Sequence, residues 1–199
     1  MTVDRIARIM IAGLLAWLGW AAGPGHASPP GASRIIAKTG WTIAGATRTV
    51  LPSVAGTPDF ESATSLEGVL RPPLPGADAV LDDDPATVWT TPAPTPTSVI
   101  MLMIDMGKPE QVAGVSLTPA GRSSPDAAQP DRYRVETSVD AKTWTPAGEG
   151  AFGGTADARA RQRLIFAKPR EARYMMLGFT SVATARPKMA IAGIDAFQP

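Results

Sequence analysis

The chain has 199 residues, with 19 basic and 18 acidic side chains, one histidine and no cysteine. This near-neutral balance lacks the basic excess that a nucleic-acid or anionic-membrane partner requires. The missing thiols exclude disulfides and thiol redox chemistry, so stability rests on core packing.

The first segment has the layout of a secretory signal peptide. Arg5 and Arg8 precede an apolar run from Ile9 to Ala22, followed by a breaker-rich stretch with small residues at Gly25 and Ala27. That order predicts residues 1–27 as a signal peptide cut after Ala27, and a secreted or periplasmic protein. The competing reading is an uncleaved anchor, the one route to a membrane. The run falls short of the roughly 20 apolar residues that a spanning helix needs. Cleavage would also remove His26, the one histidine. The remainder would then lack Ser-His-Asp and Cys-His catalysis and the ordinary zinc, copper and iron sites. Oxygen-binding cations such as calcium stay compatible with what is left.

Residues 28–39 read as a flexible leader and residues 40–199 as one folded domain. Nineteen glycines and twenty prolines punctuate the chain into short pieces. "WTIAGAT" (41–47) is the first candidate strand. Residues 48–78 are proline-rich and read as an irregular connection, with a helix left open over 60–70. "VIMLMID" (99–105) is apolar at both parities, as in a strand covered on two faces. "VAGVSLT" (112–118) follows a turn. "YRVETS" (133–138) alternates, with Tyr133, Val135 and Thr137 on one face. "RQRLIFA" (161–167), "RYMMLGF" (173–179) and "MAIAGIDAF" (189–197) complete the series. No run carries a sustained helical stripe, and the pattern predicts an all-β sandwich or barrel.

"AVLDDDPATVWTT" (79–91) carries the densest chemistry. It reads as a surface turn, because Asp and Pro start turns. It also reads as a cation loop, where carboxylates, carbonyls and a hydroxyl meet. A glycosidase pair fits poorly, because two such carboxylates face each other across a substrate at roughly 5–10 Å.

The order of landmarks resembles the discoidin family, also called the coagulation factor 5/8 type C domain. Its bacterial relatives include the family 32 carbohydrate-binding modules. The residues carrying the resemblance are Val80 to Trp89, Ile104-Asp105-Met106-Gly107-Lys108, Arg132-Tyr133, Ser138 to Trp144, Arg173-Tyr174 and Ala192-Gly193-Ile194-Asp195-Ala196-Phe197. The resemblance implies an antiparallel eight-stranded jelly-roll β-sandwich of the galactose-binding-domain-like type, with ligand loops at one end.

It also implies a structural calcium or sodium ion held by Asp82, Asp84 and Thr87, with backbone oxygens of Ala79 and Ala192. The family's closing carboxylate falls at Gly193, which weakens that site. Asp83 stands where the family has glycine. Trp89 is implied as a core residue rather than a sugar platform, Trp144 as packed inward, and Trp41 as lying at the sandwich edge. In galactose-binding members a histidine and a Pro-Arg pair reach the sugar. Those places are Thr90 and Ala120 here. Thr90, Arg122 and Asp126, on the connections 90–98 and 119–131, are the candidate rim of a ligand site.

The expected function is an exported, non-catalytic binding module for a glycan or cell-envelope ligand. The alternative is a structural or partner-binding sandwich without a sugar site.

Overall fold

Strand formation follows the apolar alternation, and the glycines and prolines set where strands bend. The computed structural model describes residues 34–50, 74–95, 98–120, 130–152, 161–180 and 188–199. All belong to one compact unit, Gly31–Pro199. The expected signal segment and the open helix over 60–70 lie outside the described residues. Among those residues, no helix is long and apolar enough to cross a membrane.

Among the described residues seven antiparallel strands form: β1 (Thr42–Val50), β2 (Trp89–Pro92), β3 (Ser98–Pro119), β4 (Arg132–Ser138), β5 (Thr145–Ala151), β6 (Gln162–Thr180) and β7 (Lys188–Phe197). Their order is β2-β7-β3-β6-β4-β5, with β1 paired to the first half of β3 and β7 to its second half. Four of the expected strands run on in pairs as β3 and β6. These two are long, and their mutual register breaks between Asp105 and Glu110. Gly107 takes φ 80 at that break, and a β-carbon there would meet the Gly40 carbonyl oxygen at 3.2 Å. A residue free of the left-handed penalty is what the bend requires.

The bend divides each long strand between two layers. β1, the first half of β3, the second half of β6, β4 and β5 form one layer. β2, β7, the second half of β3 and the first half of β6 form the other. The architecture is the expected all-β sandwich.

One apolar core lies between the layers. Ile100, Leu102 and Ile104 from β3 meet Val135, Leu177, Phe179, Ile191, Ile194 and Trp89 there. The opposite parity of β3 is covered as well. Val99 and Met101 pack with Met176 beneath Trp144 on the outer face. The two-sided apolar pattern of 99–105 is therefore met by two separate clusters, the second too small to be a layer. Trp41 is buried in the main core rather than lying at an edge.

Two corrections concern the ends of elements. The leader reading of 28–39 fails over its last part. Ile35 bridges Phe197, Ile36 N–H donates to the Ala196 carbonyl at 2.9 Å, and Ile36 is buried. The unpaired edge of β7 near its end takes up this segment, which satisfies backbone groups on both. The irregular reading of 48–78 also gives way at both ends. β1 continues to Val50, and Ala77–Val80 forms a 3₁₀ turn. β2 and β5 escaped the sequence reading because they are edge strands. Edges tolerate the Pro92, Pro146, Gly148 and Gly150 that disqualify a central strand.

Candidate functional site

Two places were expected to carry function: the acidic loop before β2 and the strand ends that hold the ligand rim. The acidic loop is built by its own side chains. Asp82 Oδ1 accepts the Asp84 N–H at 2.9 Å, and Asp84 Oδ1 accepts the Ala86 N–H at 2.8 Å. These are successive Asx turns, which curl the chain tightly. The Thr87 hydroxyl donates to Asp82 Oδ2 at 2.6 Å and lies 3.0 Å from the Asp84 carbonyl oxygen. The Asp82 carboxyl is held below the usual carboxylate range, first by Thr87, then by the Asp84 N–H, with the charge of Lys38 adding a smaller pull.

Asp82, Asp84 and Thr87 are thus brought together as expected. Ala79 lies in the 3₁₀ turn just ahead of the loop, and Ala192 lies on β7, which packs against that turn. Asp83 adopts φ 60, the left-handed conformation that explains a glycine at this place in the family. Its side chain turns outward and accepts from the Lys38 ammonium.

The carboxylates of the loop bond chiefly to the loop itself. Each Asp82 oxygen accepts a donor from within it. Gly193 offers no side-chain donor. Among the described residues, no three His, Cys, Asp or Glu side chains gather as a metal would need. An ammonium ion pair occupies the junction between loop and β7 instead. Lys38 Nζ lies 2.9 Å from Asp195 Oδ1, and both side chains are over nine-tenths buried. Asp195 Oδ2 accepts from Ser116 Oγ at 3.0 Å and lies 3.5 Å from Arg161 Nη1.

Lys38, Ser116, Arg161 and Asp195 were all missed by sequence reasoning. Lys38 fell within the expected leader. Asp195 stood in a motif whose attention went to Gly193. No local signal links positions so far apart.

At the other place, the register brings several strand ends together. Pro92 at the end of β2 pairs with Lys188 at the start of β7, and Pro119 at the end of β3 pairs with Ile191. Arg132 at the start of β4 lies between Thr180, the last residue of β6, and Ala151, the last of β5. The connections after β2, β3, β5 and β6 therefore leave from one end of the sandwich. Of the three rim residues, Thr90 is exposed on β2 between buried Trp89 and Thr91. Arg122 and Asp126 lie outside the described residues. Ala120 is buried. The Thr91 hydroxyl is buried without a hydrogen-bond partner.

Trp89 faces inward. It is 1% exposed, and its Nε1–H donates to the Pro75 carbonyl at 3.2 Å. A ring so placed cannot floor a sugar site, in agreement with its expected core role.

The F5/8 type C domain family matches residues 62–193. The chain belongs to this family. Solved structures agree on the fold. One is the family 32 carbohydrate-binding module from C. perfringens NanJ in complex with galactose. It is 16% identical, with TM-score 0.55 and coverage of 83% of this chain and 99% of that one. The C-terminal domain of a chitobiase from Bacteroides fragilis is 21% identical, with TM-score 0.54 and coverage of 82% and 96%. A third is a family 32 module from Clostridium perfringens in complex with GalNAc-β-1,3-galactose. It is 15% identical, with TM-score 0.55 and coverage of 82% and 99%. No curated protein matches by sequence. At these identities the likeness carries the fold of this F5/8 type C chain and leaves its ligand to its own residues.

Proposed function

We propose that this F5/8 type C protein is an exported, non-catalytic binding module that recognises a carbohydrate or cell-surface ligand through the connections at one end of its sandwich. The observation that carries the reading is the convergence of four connections at that end, on a fold whose solved relatives include modules in complex with galactose and with GalNAc-β-1,3-galactose. A rigid sandwich that presents variable loops is a common arrangement for recognition. Thr90 is exposed on β2, and Arg122 and Asp126, which lie in the sequence after β3 and outside the described residues, complete the proposed rim. Export to the periplasm or outside the cell follows from the signal-like segment at 1–27. The near-neutral charge disfavours nucleic acid as a partner.

A glycan array probed with the full chain tests this. Binding to a defined sugar, weakened in Arg122→Ala, is the expected result. Silence across the array, with proteins retained from envelope extracts, favours the second reading, a partner-binding sandwich without a sugar site. One observation supports that second reading. Ala120, at the place of the arginine in galactose-binding members, is buried and has no polar group to offer.

A further inference from the structure

The Lys38 side chain is 8% exposed, which is unusual for a lysine. Removing an ammonium from water costs several kcal/mol unless it is paired and hydrogen-bonded. Here two carboxylates meet it. Asp195 comes from near the end of the last strand and Asp83 from the acidic loop. The segment that carries Lys38 is itself fixed. Ile36 is bonded to Ala196, and Trp41 N–H donates to the Lys38 carbonyl at 3.0 Å. The ammonium is therefore delivered by a bonded backbone and not by a loose arm.

Lys38 and Arg161 offset part of the negative charge around it. Asp82, Asp83, Asp84 and Asp195 place negative charge at the junction of loop and β7, while Lys38 and Arg161 place positive charge there. Asp83 accepts a left-handed backbone to reach Lys38. That conformation is unfavourable for a residue with a β-carbon. A carboxylate at this position, rather than glycine, makes sense if its contact with the ammonium matters. Gly193 points the same way. A β-carbon there would meet Thr118 only at ordinary contact distance, 3.7 Å, so a larger side chain is not sterically forbidden. The residue is small although the space is not the reason.

We propose that the Lys38 ammonium is the resident cation of the acidic loop. It ties Asp83 to Asp195 and so fastens the loop to β7, which makes the domain independent of a bound metal ion. A divalent cation at the same junction would be repelled by a charge that cannot leave.

Thermal melting of the full chain tests this. The expected melting temperature is the same, within about a degree, in EDTA and in millimolar calcium. Lys38→Met should lower it by at least about 6 °C, as expected for a buried carboxylate left without its partner. Gly193→Glu should remain unresponsive to calcium while Lys38 is present. The double variant Lys38→Met with Gly193→Glu should gain a calcium-dependent rise of several degrees. A wild-type rise of more than about 3 °C in calcium, a fall in EDTA, or an unchanged melting temperature in Lys38→Met would each overturn the proposal. If Lys38→Met does not fold, the wild-type and Gly193→Glu titrations still decide it.

Discussion

Arg173 holds Asp105 with both arms of its guanidinium: Nε donates to Oδ1 and Nη2 to Oδ2, each at 2.9 Å. Asp105 lies next to the bend in β3, and its register partner on β6 is Tyr174. The fork therefore clamps the two long strands where they pass from one layer to the other. It also joins two of the short motifs, Ile104-Asp105-Met106-Gly107 and Arg173-Tyr174, that carried the family resemblance. Asp105 Oδ1 further accepts the Gly107 N–H at 2.8 Å, which fixes the bend itself.

This pair has a pH signature. The Arg173 hydrogen bond, with help from the Gly107 N–H, holds the Asp105 carboxyl below its ordinary value. A group whose folded-state pKa is depressed contributes stability above its unfolded value, about 3.9, and loses it as pH falls through the folded value. Arg173 is more than one-third exposed, so solvent screens the pair and its effect is modest. Arg173→Met should lower stability slightly at pH 7. In denaturant titrations the gap to wild type should close below about pH 4.

The Ser138–Thr143 turn is organised by Asp140. Its Oδ1 accepts the N–H groups of Thr143 at 2.8 Å and Lys142 at 2.9 Å, and the Ser138 hydroxyl lies 3.0 Å away. These donors lower its pKa to about 2, the Thr143 bond counting most. Its contribution is present above about pH 4 and is lost as pH falls toward 2. Asp140→Asn should flatten the acid limb of the stability profile, measured as melting temperature against pH.

Ala141, next in the same turn, takes φ 59. Glycine has no penalty there, although it loses more chain entropy on folding. Ala141→Gly should raise stability by about 0.5 kcal/mol in chemical denaturation, the strain released exceeding the entropy lost. A destabilised variant would mean that the turn relaxes around alanine.

Gly114 sits where β3 passes between β6 and β7. A β-carbon there would lie 2.3 Å from the Leu164 carbonyl oxygen and 2.4 Å from the Phe197 ring. The oxygen belongs to a backbone paired in the sheet, so it cannot step aside. Gly114→Ala should cost about 3 kcal/mol, the upper range for overpacking. It should also disturb the stacking of Arg163 on Phe197, now 4.1 Å from ring centroid to guanidinium.

Trp89 offers a test of core against platform. Trp89→Phe loses the bond to Pro75 and leaves a void, for a cost of about 2 kcal/mol. The fluorescence lost should be blue-shifted and resistant to acrylamide. Any glycan that binds wild type should bind this variant with unchanged affinity.

Much of the fold was legible because its cause is local. Two-sided apolarity in 99–105 states which faces are covered, and the strand there agrees; in 133–138 Tyr133, Val135 and Thr137 are buried as the alternation states, but Glu136 and Ser138 on the opposite face are buried as well. β5 was illegible for the opposite reason. "TPAGEGA" has almost no strand propensity and is held by its ladder to β4. The acidic loop was legible as a tight turn of Asp82, Asp84 and Thr87, because side chains two to five residues apart make its bonds.

By itself, the sequence determined what depends on neighbours along the chain: the all-β pattern, the turn chemistry of 82–87 and 138–143, and the removal of thiol and most imidazole chemistry. Only the tertiary structure decided what the carboxylates at 83 and 195 meet. Their partner, Lys38, lies before the first strand, and no spacing rule relates it to the last. Ion pairs of this kind are set by which strand edges lie side by side, and that follows from the packing of the whole core, not from any one segment.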